Sequence, residues 1–383
     1  MKKYIYLCIL FLFSLNTMAQ IGVNNGNWDT VFYDDFSRAR VWDTMSWFSL
    51  PDYYWKAHPG DHITHGDREA QLYQYDHCVF DLNENAVYLV SEFDNQGLIP
   101  LHQYHLPSVM QGYFPNPLGY HKGLYFFSGE MDVIRTQFSF GYFEIRCKLP
   151  LHNGSFPAFW LYGPGPEQYE EIDIFEYSPG DCQGDVLRGY SSGIWHNPQG
   201  TNYEENEDND GAQKFNETHY HLSLDEPDLS QYHIYGCEWM PDYVKWYRDG
   251  EVVSQYHDVS HIPQYPKTLK INYAILNNYL QLDTINNVLY GWSGSDTLTI
   301  DYVKVLQLKT DCETDEIITT GIQFANYDCR FKHSITIGSI EGQVIVPSNT
   351  SVSMLAEEYI IINGEFEISP GSEMILSVHA CPR

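Results

Sequence analysis

Basic residues are scarce in this chain. Against 51 Asp and Glu stand only 21 Lys and Arg, a formal net charge of -30 over 383 residues. A polyanionic partner would meet repulsion instead of releasing counterions, so no nucleic-acid partner is expected. The same argument counts, more weakly, against a heavily sulfated polysaccharide. Long apolar runs are also missing: past the first twenty residues nothing approaches the roughly 18 apolar residues of a membrane span. Cysteine is sparse, with eight in all and no CxxC or Cys/His cluster of the kind zinc requires. No strand-borne Gly-x-Ser-x-Gly, HExxH or Rossmann fingerprint is present. No stretch keeps a 3.6-residue apolar period over three turns, which excludes a helical architecture.

Aromatics are abundant at 16%, with 31 Tyr and 9 Trp. That load excludes disorder and provides a large core. The chain opens Met1-Lys2-Lys3, runs apolar from Tyr4 to Leu15 and reaches Asn16-Thr17-Met18-Ala19. This is the pattern of an export signal over residues 1–19, cut after Ala19, so a secreted protein is expected. Cys8 lies inside the apolar run, which gives no sign of a lipid anchor. Of the other seven cysteines, Cys312, Cys329 and Cys381 fall in the last quarter, where one bridge fits an exported protein.

After residue 20 the pattern is strand and turn. Tyr142-Phe143-Glu144-Ile145-Arg146-Cys147-Lys148-Leu149 alternates until Pro150, and Leu298–Val305 alternates again. Asp249-Gly250 between Tyr243–Arg248 and Glu251–Val253 is a hairpin turn. Many short strands over so long a stretch imply an all-β sandwich or barrel. Polar, aperiodic residues 309–316 mark a boundary, giving one large domain over 20–307 and a small β-rich module over 308–383. In the module, strands are expected at 335–337, 343–346, 351–355, 359–362, 365–368 and 373–378, with a candidate role in cell-surface attachment.

The chemistry is concentrated in Glu170-Glu171-Ile172-Asp173-Ile174-Phe175-Glu176-Tyr177. A plain strand would put Glu171 and Asp173 on one face and Glu176 on the other. One bulge between Asp173 and Glu176 brings all three to one side. Clustered carboxylates repel, so at least one should hold its proton near neutrality beside an ionised neighbour. A protonated acid next to a carboxylate is the pair that cleaves a glycosidic bond. An acidic strand can also be a solvated edge, but this one follows the aromatic stretch Phe156-Pro157-Ala158-Phe159-Trp160-Leu161-Tyr162. Flat rings are platforms for the apolar faces of sugars.

Glu171-Ile172-Asp173-Ile174-Phe175-Glu176 resembles the bulged active-site signature of glycoside hydrolase family 16. The opening Val31–Phe36, the strand Phe140–Pro150, the segment Tyr232–Pro241 with its hairpin, and Ile300–Val305 resemble the family in order over about 30–307. The resemblance implies a concanavalin-like jelly roll that hydrolyses a β-linked polysaccharide with retention, most simply β-1,3-glucan. It makes Glu171 the nucleophile, Glu176 the general acid and base, and Asp173 their hydrogen-bonding companion. Trp160 and His196 become substrate-binding candidates and Asp301 a candidate ligand for a structural calcium. No cofactor is required and a monomer is expected. Agar, porphyran or carrageenan hydrolysis, with basic residues such as Arg135 or Arg146 for sulfate, and a non-catalytic glycan binder are the alternatives. The chain departs from the family at Phe156, where Trp is usual, and over Asn272–Tyr279, which lacks the common Gly-Gly-x-Trp-Pro-Gly. Asn206, Asp208, Asp210, Gly211 and Glu217 follow calcium-loop spacing, but without helical flanks they read as a solvated acidic loop.

Overall fold

The computed structural model describes residues 27–43, 45, 48–52, 54–58, 69–93, 126–152, 154–163, 169–177, 189–197, 213–221, 229–276, 281–283, 288–290, 294–327, 330–338 and 342–382. The export signal expected at residues 1–19 and positions 206–211 of the acidic loop lie outside them. Glu217 falls within a strand, Gln213–His221, so no helix follows that loop.

Two large sheets face each other in a jelly-roll β-sandwich. Among the described residues one has ten strands, the other seven, and almost every pairing is antiparallel. Alternation decides which side chains meet between them. In the strand Gly141–Lys148, Phe143, Ile145 and Cys147 enter the core, while Glu144 on the outer face accepts from Tyr142 and Tyr302. Gly141 begins this strand at a φ of 131°, and a Cβ there would collide with the Leu306 carbonyl. The Asp249-Gly250 turn has φ of 51° and 86°, the paired positive values of a tight hairpin.

The seven-stranded sheet carries the acidic strand, Tyr169–Tyr177. Its neighbours are the aromatic strand Ser155–Gly163 on one side and Gly189–Asn197 on the other. Beyond the aromatic strand come Thr268–Ile275, Glu130–Val133 and Trp55–Ala57.

Past Leu308 the pairing changes to parallel. Thr310–Ile318, Phe331–Ile337, Ser351–Ile362 and Glu373–Val378 form one ladder, and Gln343–Val346 pairs with Glu365–Ile368 in a second. These strands enclose their own core, including Ile318, Ile335, Ile337, Val344, Val346 and Met354. Two sequence expectations change here. The polar residues 310–316 belong to a strand, because Lys332 reaches Asp311 and Ser334 reaches Asp315 across the ladder. The two short strands expected at 351–355 and 359–362 are one continuous strand. Cys312 and Cys381 form a disulfide at a sequence separation of 69 residues. It packs with Met240, Tyr243 and Phe331 where the ladder meets the sandwich.

Candidate active site

The acidic strand is bulged on both of its ladders. Toward the aromatic strand, Trp160 pairs with Asp173 but Phe159 pairs with Phe175, leaving Ile174 as the extra residue. Toward the other neighbour the register also shifts between Asp173 and Glu176. Ile172, Ile174, Phe175 and Tyr177 all belong to the main core. Glu171 and Asp173 alternate with the two isoleucines, and Glu176 stands between Phe175 and Tyr177. All three acids therefore share the face turned away from the core. Glu171 is 7% exposed and Asp173 1%, while Glu176 is more open.

The register lays out the rest of that face. Glu171 stands beside Tyr162, Asp173 beside Trp160 and Glu176 beside Ala158. One strand further lie Thr268, Lys270 and Asn272. Trp160 is only 6% exposed, and its indole N–H donates to Asn272 Oδ1 at 2.8 Å. Asn272 in turn donates to the Tyr73 hydroxyl at 2.8 Å. The open ring of the row is Tyr162, 36% exposed and set edge-on to Trp160 at 5.7 Å.

Lys270 lies over both rings, 5.1 Å from the Trp160 centroid and 5.7 Å from that of Tyr162. Its Nζ is 3.0 Å from Glu130 Oε1 and 3.4 Å from Asp132 Oδ1. Burial alone would lower the lysine pKa, but the two carboxylates outweigh it and hold it well above its ordinary value. Burial likewise pushes Asp132 up, and Lys270 with His58 reverses the sign. His58, Glu130 and Asp132 could together hold a metal ion, their ligand atoms lying within 4.8 Å of one another. The Lys270 ammonium already supplies a cation to both carboxylates.

The start of the strand is anchored by a buried ion pair. Lys267 Nζ is 2.8 Å from Glu170 Oε2, with the side chains 0% and 5% exposed. Burial lowers the Lys267 pKa, and Glu170 opposes it.

Of the other expected site residues, His196 occupies the register position opposite Glu170, and Trp195 the one opposite Glu171. The His196 side chain lies outside the described residues. Asp301 is in the ten-stranded sheet, where its carboxylate accepts from Arg146. A guanidinium there neutralises the carboxylate, so these residues fit a calcium poorly. Arg146 is thereby also committed away from the acidic face. Sequence reading missed Lys270, Asn272 and the exposure of Tyr162. The alternation of Thr268-Leu269-Lys270-Ile271-Asn272-Tyr273 was the available signal, a lysine and an amide on one face of an apolar strand.

Fold and site together define a class, a jelly-roll sandwich with a carboxylate trio on a bulged strand beside aromatic side chains. Residues 101–303 match the family model for glycosyl hydrolases family 16, and the chain belongs to that family. A curated relative, the β-glucanase of Fibrobacter succinogenes (strain ATCC 19169 / S85), is 29% identical over 135 residues, 33% of this chain and 32% of the relative. The chain thus spans about a third of that relative's length. Among solved structures, one reported with the endo-acting O-glycanases that prominent members of the human gut microbiota use to initiate mucin breakdown has a TM-score of 0.52. It is 22% identical and is matched over 74% of this chain and 92% of its own. The catalytic domain of an endo-1,3-β-glucanase (laminarinase) from Thermotoga petrophila RKU-1 has a TM-score of 0.50 at 19% identity, over 74% of this chain and all of that one. At such identities the likeness is one of fold.

Proposed function

We propose that the protein is an endo-acting glycoside hydrolase that cleaves a β-linked polysaccharide by double displacement. Glu171 attacks the anomeric carbon as Glu176 protonates the departing oxygen. Glu176 then takes a proton from water, which releases the sugar from Glu171 with its configuration retained. Asp173, between them, hydrogen-bonds the nucleophile and tunes its charge. The observation that carries this reading is the bulge at Ile174, which sets three acids on one face at the cost of their mutual repulsion. A pure binder gains little from such an arrangement.

β-1,3-Glucan is the first substrate. It is neutral, which suits an acidic chain whose Lys270 is already engaged by Glu130 and Asp132. The test is reducing-end release from laminarin, lichenan, agarose, porphyran, carrageenan and gastric mucin, with NMR of the first-formed anomer. Glu171→Gln should abolish hydrolysis while leaving the fold and glycan binding nearly intact. Turnover retained in that variant would remove the nucleophile assignment.

A further inference from the structure

Trp246 stands in the opposite sheet, on the strand Val244–Arg248, and is 1% exposed within the main core. A buried indole N–H needs an acceptor. Here the acceptor is the backbone carbonyl of Asp173, at 2.8 Å. In a regular strand a carbonyl lies in the plane of its own sheet and meets a neighbouring strand. Accepting a bond from the facing sheet requires the carbonyl to turn inward, and the bulge at Ile174 provides that freedom. Phe175 braces the same point, its ring 4.8 Å from that of Tyr235.

We propose that Trp246 is a positioning residue for the acidic strand, its N–H holding the Asp173 carbonyl and so setting the backbone between Glu171 and Glu176. This rests on the catalytic reading of those acids. The bulge itself has a separate cause: without it Glu176 would take the parity of Ile172 and Ile174 and carry its carboxylate into the core. What the indole sets is the finer geometry, on which carboxylate chemistry depends steeply, since a misplacement of about 1 Å can cost about a hundredfold in rate.

The decisive variant replaces Trp246 with 3-benzothienylalanine, which keeps the ring shape and puts sulfur where the N–H was; Trp246→Phe is its genetically encoded companion. Kinetics on the best substrate of the glycan panel, thermal melting and amide hydrogen exchange are measured for both. Expected are a fall in kcat of about 10- to 100-fold, KM within about twofold, a displaced pH–rate profile and faster exchange at Ile174 and Phe175. A purely structural residue would instead lower activity in step with the folded fraction. Unchanged kcat and unchanged exchange in the folded benzothienyl protein overturn the proposal. Should the native protein hydrolyse none of the glycans, the catalytic reading falls, while the exchange measurement still decides whether the indole pins the bulge.

Discussion

Replacing Lys267 with methionine would leave Glu170 charged in a buried position one residue ahead of Glu171. The side chains of this pair are 0% and 5% exposed and separated by 2.8 Å. Removing one member of such a pair typically costs about 3–5 kcal/mol, because the remaining buried charge loses its close counter-ion. At about 2–4 °C per kcal/mol for a domain of this size, the sandwich should melt roughly 6–20 °C lower. Lys267→Met/Glu170→Leu removes both charges and should recover most of that loss, as apolar replacements of buried pairs often do. Calorimetry and guanidinium unfolding of the two single variants and the double variant close the cycle. A Lys267→Met loss below about 1 kcal/mol, the range of exposed pairs, would refute the claim that this strand is anchored by a desolvated charge.

Two further outcomes are expected. His152 Nδ1 lies 2.5 Å from Asp296 Oδ2; that hydrogen bond raises the histidine pKa, while Asp296 is lowered despite burial. The histidine's contribution is lost as pH rises through its raised folded value, and that of the aspartate as pH falls through its lowered one. The melting-temperature gap between wild type and His152→Ala should therefore be widest between about pH 4 and 6.5 and narrow on either side; a gap independent of pH refutes the ionic account. Cys312→Ser/Cys381→Ser opens a bridge spanning 69 residues. It should destabilise the parallel ladder by about 4 kcal/mol and leave hydrolysis unchanged, read by two-probe denaturation and reducing-end assay.

Much of this arrangement was legible in the residues. The parity of Glu171, Asp173 and Glu176 demands a bulge if all three are to share a face, and the ladder places it between Asp173 and Glu176. The Asp249-Gly250 turn and the alternating strands followed from local chemistry alone. What escaped depends on packing between distant segments. That Trp160 is tied down while Tyr162 stays open follows from the bond its indole makes to Asn272, more than a hundred residues away. Trp246 reads as one more core aromatic until the facing sheet supplies its acceptor. In the last quarter the short strands were visible, but their parallel pairing depends on how each turn returns the chain. The strand character of 310–316 likewise depends on partners such as Lys332, supplied from across the ladder.

The sulfur bridge between Cys312 and Cys381 also has a mechanical consequence. It bypasses every strand between its two ends. Tension applied to the chain past Cys381 would travel through the covalent link to Cys312 and on into the long strand Ser295–Leu308, leaving the intervening ladder unloaded. With the bridge closed the folded ladder stays outside the covalent path of the load, and a reductant would put its strands into that path.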